Sequence, residues 1–272
     1  MNITFIGGGN MASAIIGGLI QNGSQPASIC VVEIDAHARE RLIRQFGITV
    51  TEVLADGIDA SDIIVFAIKP QQLQALAVQA RQLLQNKLVI SIAAGIRTHH
   101  LSQWLDNHAR IIRAMPNTPA LIGKGMTGLY AQPTVDNLQK EQAAKILGAV
   151  GTVLWVDEEI LLDAVTAISG SGPAYVFYFL EAMQEAGVEL GLTADIARQL
   201  TLQTFLGATD LAAQSDEAFN TLRSRVTSKG GTTEQALLSL EQSAVKQAFK
   251  RAIRASYDRS LEMGEILGRT ES

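Results

Sequence analysis

The 272-residue chain has one cysteine, Cys30, so it can form no intrachain disulfide, and no Cys/His spacing suits a zinc site. A lone thiol agrees with a reducing compartment, and a cytoplasmic location is expected. Positive charge is not in excess. The net charge of -5 argues against a nucleic-acid partner, which would call for a basic face. Long apolar runs are missing too. Residues 1–32 carry no charged side chain, but no Lys or Arg precedes them and Gly7-Gly8-Gly9 interrupts the run, unlike a secretory signal. Residues 164–180 are also uncharged and are broken by Ser169-Gly170-Ser171-Gly172-Pro173. A bilayer span needs ~20 mostly apolar residues, so no membrane association is expected. Histidine is scarce and one-sided: His37, His99, His100 and His108 leave none in residues 109–272, and no lysine lies between Lys145 and Lys229.

What is present describes an ordinary globular chain, with 47% hydrophobic and 18% charged residues. Its length favours two domains over one. In the first half, short β-like runs at 3–6, 29–34, 63–67, 88–92 and 110–115 alternate with helix-period segments. One of these is 71–84, with Leu73, Leu76, Ala77, Ala80 and Leu84 on one face. Alternation of this kind predicts a Rossmann-like, mostly parallel sheet with helices on both sides. Further runs at 126–131 and 150–156 extend the sheet around a helix near 135–147. Beyond Asp157-Glu158-Glu159 no strand is evident, and 172–191, 193–213 and 243–267 read as long helices. The expected division is residues 1–160 for a dinucleotide-binding domain and 161–272 for an all-helical one. Long helices with few charges lean towards a homodimer.

The run Ile3-Thr4-Phe5-Ile6-Gly7-Gly8-Gly9-Asn10-Met11-Ala12 reads as a strand, a G-x-G-x-x-A turn and a helix start. Gly7 permits the tight turn, Gly9 lets a pyrophosphate approach the backbone, and Ala12 packs the helix on the strand. The anion then meets free N–H groups at the helix N-terminus. The pattern alone is weak; its place after an apolar strand and before an amphipathic helix strengthens it. An acidic residue ~20 positions on should meet the adenosine ribose. Glu33 and Asp35 are the candidates, unless both are simply solvated acids. A carboxylate there repels a 2′-phosphate, so the local chemistry leans towards NADH over NADPH. Two more turns lie at expected strand ends: Ala67-Ile68-Lys69-Pro70 and Ala93-Ala94-Gly95. Small residues let a flat ring come close, and Lys69 either reaches a phosphate or ribose or points at solvent.

The histidine and lysine inventory restricts the chemistry. A carbonyl-reducing dehydrogenase normally protonates the nascent alkoxide from His or Lys, and the second half offers neither where one is wanted. An iminium substrate arrives protonated and removes that demand. The most polar loop of the helical half is Val226-Thr227-Ser228-Lys229-Gly230-Gly231-Thr232-Thr233-Glu234-Gln235. Thr232 with Gln235 fits a capping box, so a helix starts there. After Gly230-Gly231 its free N–H groups form a nest for an anion such as a carboxylate, with Ser228 and Thr233 hydroxyls nearby. An ordinary helix start after a flexible glycine hinge would look the same.

Five blocks in order resemble the pyrroline-5-carboxylate reductase family: Ile6-Gly7-x-Gly9-Asn10-Met11; Ala67-x-Lys69-Pro70; Ile111-Ile112-Arg113-Ala114-Met115-Pro116-Asn117-Thr118-Pro119; Ile168-Ser169-Gly170-Ser171-Gly172-Pro173-Ala174-Tyr175; and Phe219-x-x-Leu222 followed by Val226-Thr227-Ser228-x-Gly230-Gly231-x-Thr233-x-x-Ala236-Leu237. They span residues 5 to about 241. The resemblance implies reduction of (S)-1-pyrroline-5-carboxylate to L-proline by NADPH or NADH, the last step of proline synthesis. It implies a cofactor site of Ile6, Gly7, Gly8, Gly9, Asn10, Met11, Glu33, Asp35, Ala67, Lys69 and Pro70, with Ala94, Gly95 and Asn117 at the nicotinamide. Ser228, Gly230, Gly231 and Thr232 would hold the substrate carboxylate, and the Thr233 hydroxyl would sit at the ring nitrogen as the catalytic group. Residues 169–173 would start a long helix and close the pocket. An interlocked homodimer is implied, often built into larger rings such as a decamer.

Two positions depart from the family pattern. Lys229 stands where many members have proline, and Glu33-Ile34-Asp35 stands where NADPH-using relatives carry hydroxyl or basic residues. Two other readings stay open: a dinucleotide sensor without turnover, and reduction of a larger cyclic imine acid.

Overall fold

A computed structural model describes residues 1–59 and 61–268. Four-residue apolar runs make the first strands: β1 (Ile3–Ile6), β2 (Ile29–Val32), and, after the short polar β3 (Thr49–Thr51), β4 (Ile63–Phe66) and β5 (Leu88–Ser91). Then come β6 (Ile111–Met115), β7 (Gly125–Ala131) and β8 (Gly151–Trp155). The intervening helices are α1 (Asn10–Gln21), α2 (Ala36–Phe46), α3 (Leu54–Asp59), α4 (Pro70–Ala80), α5 (Thr98–Trp104) and α6 (Asn137–Gly148). One eight-stranded sheet results, in the order β3-β2-β1-β4-β5-β6-β7-β8, parallel except for the β6/β7 pair. This is the expected Rossmann-like fold.

Because side chains alternate along a strand, each central strand feeds two cores. Ile3, Phe5, Ile29, Val31, Val65 and Ile90 pack on one face with Ile15, Ile16 and Leu19 of α1 and Ile146 and Leu147 of α6. Ile6, Ile64, Phe66 and Val89 pack on the other with Leu73 and Ala77 of α4 and Leu101 and Trp104 of α5. Five expected strands run too long. β2 stops at Val32, β4 at Phe66 and β5 at Ser91, so Glu33, Ile34, Ala67 and Ile92 lie beyond the ladder. Arg110, Val150 and Val156 also lie outside β6 and β8. Ala67 and Ile92 are half-buried at the sheet's end, which keeps those runs apolar past the ladder, whereas Ile34 is 81% exposed. β3 was not expected: it is three residues with one apolar side chain at the sheet edge.

After β8 the chain turns through α7 (Leu161–Val165) and a π-helical turn (Thr166–Gly170), closed by Ser171 N–H donating to Thr166 O at 2.8 Å. Then follow α8 (Gly172–Glu189), α9 (Ala194–Ala213), α10 (Phe219–Arg225), α11 (Thr232–Gln242) and α12 (Val245–Gly268). The three long helices are the expected ones; α10 was not foreseen. Packing divides the chain into two compact units. One is residues 1–171 with the end of α12 from Ser256; the other is Gly172–Ala255. The first unit thus extends past residue 160, the expected boundary, through α7 and the π turn.

The second unit has little interior of its own. Only Ala197 and Thr201 are buried there, while Phe177, Tyr178, Leu190 and Phe219 are 65–86% exposed. Tyr175 and Phe179 meet Phe249 edge-on at 5.7 and 5.5 Å between ring centroids. Among the described residues no helix is long and apolar enough to cross a membrane.

Candidate active site

The glycine turn sits where β1 ends. Ala67 N–H donates to Ile6 O and Gly7 N–H to Val32 O, both at 2.9 Å, so three strand ends meet there. Gly7 has φ +100° and no room for a side chain: a Cβ would lie 2.7 Å from Ala67 O. Any other residue would strain the backbone and push β4 away. Gly9, the residue preceding α1, is exposed, with nothing within 4 Å of where its Cβ would be. No side chain caps α1, and no acid occupies its first turn. Uncapped N–H groups behind an open approach leave space for an anion. Asn10 is exposed, while Met11 is half-buried and packs against the core.

The two candidate acids separate. Glu33 turns back to the glycine turn: its Oε2 accepts from Gly8 N–H at 2.9 Å and its Oε1 from Asp35 N–H at 3.0 Å. Asp35 instead caps α2, accepting from Ala38 N–H at 2.7 Å. Basic groups surround them. Arg41 Nη2 donates to Gly8 O at 3.3 Å, and Arg39 holds Glu33 O and Ile34 O while pairing with Glu52 at 2.9 Å.

Further along the same sheet edge, Lys69 is exposed just before Pro70, the first residue of α4. Ala94 is half-buried and Gly95 buried in the loop between β5 and α5. Asn117 follows β6, and its amide is engaged within the protein. Its Nδ2 donates to Ser169 O and Oγ at 3.2 and 3.1 Å, and its Oδ1 accepts from Met126 N–H at 2.9 Å. It therefore ties the π turn to β7; such turns are frequent at functional sites.

The loop before α11 lies in the second unit and corrects one expectation. Thr232 is the first helical residue and not the cap. Gly231 occupies the cap position, and no side chain caps the helix. The spacing Thr-x-x-Gln matches a capping box, but glycine also tolerates that position. Ser228 O accepts from Gly231 N–H at 3.0 Å, making a tight turn, while Ser228, Thr232 and Thr233 are exposed. The Gly230 N–H is already taken: Glu234 Oε2 accepts it at 2.7 Å. Of the nest, the first N–H groups of α11 remain without a side-chain cap. Lys229 is exposed.

A group of charged residues went unassigned in the sequence. Arg113 is 2% exposed and Asp163 fully buried. Burial pulls the Arg113 guanidinium below its ordinary value, opposed by the Glu159 carboxylate beside it. The signal was present: Arg113 interrupts Ile-Ile-x-Ala-Met and Asp163 interrupts Leu-Leu-x-Ala-Val, and a lone charge in an apolar run must find a partner.

A mostly parallel sheet whose first strand ends in an uncapped glycine turn, with a carboxylate at the second strand's end, defines a dinucleotide-dependent oxidoreductase. Residues 2–95 match the family model described as NADP oxidoreductase, coenzyme F420-dependent, and residues 159–263 match pyrroline-5-carboxylate reductase dimerisation. A pyrroline-5-carboxylate reductase of Pseudomonas aeruginosa is 44% identical over 267 residues, covering 98% of each chain. The solved pyrroline-5-carboxylate reductase of Coxiella burnetii is 43% identical with a TM-score of 0.92, covering 96% of this chain and 98% of that one. The Plasmodium falciparum pyrroline carboxylate reductase with NADP bound is 29% identical with a TM-score of 0.87, covering 97% and 98%. The chain belongs to the pyrroline-5-carboxylate reductase family, a family of NAD(P)-dependent reductases.

Proposed function

We propose that this chain reduces (S)-1-pyrroline-5-carboxylate to L-proline, with NADH as the preferred donor, in the last step of proline synthesis. The observation that carries the cofactor reading is the Glu33 carboxylate held against the Gly8 amide. Placed there, it accepts from a ribose 2′-hydroxyl and repels a 2′-phosphate. Asp35, engaged as a helix cap, is left out of this role. The open approach at Gly9 and the uncapped N-terminus of α1 suit a pyrophosphate, which Ile6, Gly7, Gly8, Asn10 and Met11 would surround. Ala67, Lys69 and Pro70 follow on the next strand, and Ala94, Gly95 and Asn117 would border the nicotinamide. When bound, the reduced nicotinamide supplies hydride to the C=N carbon.

The remaining work falls to residues of the second unit. The Thr232 N–H at the uncapped start of α11 and the Ser228 hydroxyl would hold the substrate carboxylate, while Gly231, its N–H given to Ser228 O, and Gly230 at φ +76° would shape the turn. The Thr233 hydroxyl would accept a hydrogen bond from the ring N–H and so orient it, and hydride addition to the iminium would give the amine with that proton retained. No histidine is needed, because the imine arrives protonated. We assign residues 161–272 to substrate binding and dimerisation. Exposed Phe177, Tyr178, Leu200 and Phe219 on a unit with almost no core support a homodimer, with assembly into a larger ring such as a decamer as the next level.

The test is oxidation of NADH and NADPH in parallel, with and without pyrroline-5-carboxylate and its six-membered homologue. Substrate-dependent turnover, faster on the five-membered imine and with a higher kcat/KM for NADH, is expected. No turnover overturns the reaction, and a strong NADPH preference overturns the cofactor reading. In the same assay Thr233→Ala should lower kcat/KM about 10–100-fold, a loss of ~1.4–3 kcal/mol.

A further inference from the structure

Four charged side chains are packed together beside the β5–α5 loop. Arg97 Nη1 lies 2.7 Å from Asp163 Oδ2, and Arg113 Nη1 lies 3.2 Å from Glu159 Oε1. Their side chains are 14% and 0% exposed in the first pair, 3% and 16% in the second. Taking such charges out of water costs several kcal/mol per ion, and apolar side chains of similar volume often give equal stability. The cluster is therefore poorly explained by stability alone. Its hydrogen bonds show what it holds.

Both carboxylates grip the residues that directly follow Ala94, Gly95 and Ile96. Glu159 accepts from Thr98 N–H at 2.7 Å and from Thr98 Oγ1 at 2.8 Å, one bond to each oxygen. This caps the first turn of α5 from a distant part of the chain. Asp163 takes Arg97 on Oδ2, an ion pair without an aligned hydrogen bond, and the Ser260 hydroxyl on Oδ1 at 2.6 Å. Ser260 belongs to α12, and α12 forms the floor of the loop. A Cβ on Gly95 would lie 3.2 Å from Leu267 and 3.4 Å from Met263; one on Gly264 would lie 3.2 Å from Arg97 Nε and 3.3 Å from Gly95 O. The loop is thus clamped by Glu159 on Thr98, by Asp163 on Arg97, and by α12 beneath.

We infer that Glu159 and Asp163 are positioning residues for hydride transfer, fixing the Ala94–Gly95 turn against which the nicotinamide lies. This rests on the proposed function, which places that turn at the nicotinamide. Neither carboxylate touches the reactants; each acts through the backbone it holds. On the proposed reading the adenosine end is anchored at the glycine turn and Glu33, whereas the two carboxylates bond Thr98, Arg113, Arg97 and Ser260. Loosening the clamp therefore misplaces the reacting ring without releasing the cofactor, and a displacement of about 1 Å can cost ~100-fold in rate.

The experiment is single-turnover hydride transfer by stopped-flow absorbance of the nicotinamide, on wild type, Glu159→Gln, Asp163→Asn and Thr98→Val. The rate constant reports geometry independently of how much enzyme is active; the amplitude reports the folded fraction. The expected result is a rate constant lowered about 10-fold or more in the carboxylate variants and about 3-fold in Thr98→Val. Dinucleotide Kd and KM for the imine should change less than about 3-fold. Unchanged rate constants with reduced amplitudes overturn the inference, since they show a merely structural role. Should either carboxylate variant fail to fold, Thr98→Val decides: it keeps both ion pairs and loses one hydrogen bond. Wild type without imine-dependent turnover defeats the proposed reaction instead, and is seen before any variant is read.

Discussion

Glu33 accepts the backbone N–H of Gly8 through one oxygen at 2.9 Å, so the acid at the end of β2 and the glycine turn after β1 form one rigid element. On the proposed reading this pair receives a ribose with free hydroxyls. Glu33→Ser removes the negative charge and keeps a small hydroxyl. The NADH-to-NADPH ratio of kcat/KM should then fall about 10–100-fold, the range of a charged hydrogen bond. Arg39 and Arg41, already close by, would favour the extra phosphate. Parallel kinetics with the two cofactors check this; an unchanged ratio removes Glu33 from cofactor choice.

Glu234 holds Gly230 N–H at 2.7 Å, within the proposed carboxylate nest. Its charge opposes an incoming anion at the same helix end. Replacing it by glutamine keeps the acceptor and removes the charge. The KM for pyrroline-5-carboxylate should drop about 2–5-fold, the scale of one charge at a helix N-terminus. A KM that rises would mean that Glu234 supports the loop more than it competes.

His108 sets a pH limit on stability. Burial pulls it below the ordinary 6.5; the bond from Nε2–H to Lys87 O at 3.0 Å opposes this, and the Arg110 charge adds to it. With the folded value depressed, the unfolded chain takes up the proton first as pH falls. The stability concerned is complete above 6.5 and is lost as pH drops from there through the folded value. His100 shifts the same way, again chiefly by burial. Thermal midpoints between about pH 7.5 and pH 5.5 should fall, and fall less in His108→Gln. Parallel slopes for the two proteins would exclude His108.

Gly151 opens β8 at φ +149°, paired with Gly125 of β7. A Cβ there would overlap Gly125 O and lie 2.5 Å from Gly125 N. Both obstacles are backbone, so neither can rotate aside. Gly151→Ala should cost at least ~2 kcal/mol in denaturant unfolding. Full stability would mean that β8 can slide at the sheet edge without loss.

The dinucleotide half was legible because its signals are local. Apolar runs at Ile3–Ile6 and Ile63–Phe66, and glycines where a turn needs them, dictate strand, turn and helix without long-range information. The sequence could not rank Glu33 against Asp35, since both stand at the strand's end and only three-dimensional packing turns one to Gly8 and the other to Ala38. β3 escaped for lack of an apolar pattern at an edge. The Thr232–Gln235 spacing misplaced the helix cap by one residue, because Gly231 does that task without a side-chain signal. The candidate nest residues can be named from the sequence, but the bond from Gly230 N–H to Glu234 cannot, since a glutamate on a helix start carries no mark of where it reaches. The carboxylates of Glu159 and Asp163 act on Thr98 and Arg97, more than sixty residues upstream in the chain. No local pattern links such partners; only the unpaired charge within an apolar run announces that a partner exists.

The scant interior of the second unit bears on how the enzyme comes into being. A helical unit that shields only Ala197 and Thr201 cannot draw its cohesion from within. In the proposed homodimer a second copy covers the exposed faces, so folding and association would become one equilibrium and stability would rise with the logarithm of protein concentration. Dilution would then act as a denaturant. The amount of enzyme a cell keeps would itself determine what fraction of its chains is in working form.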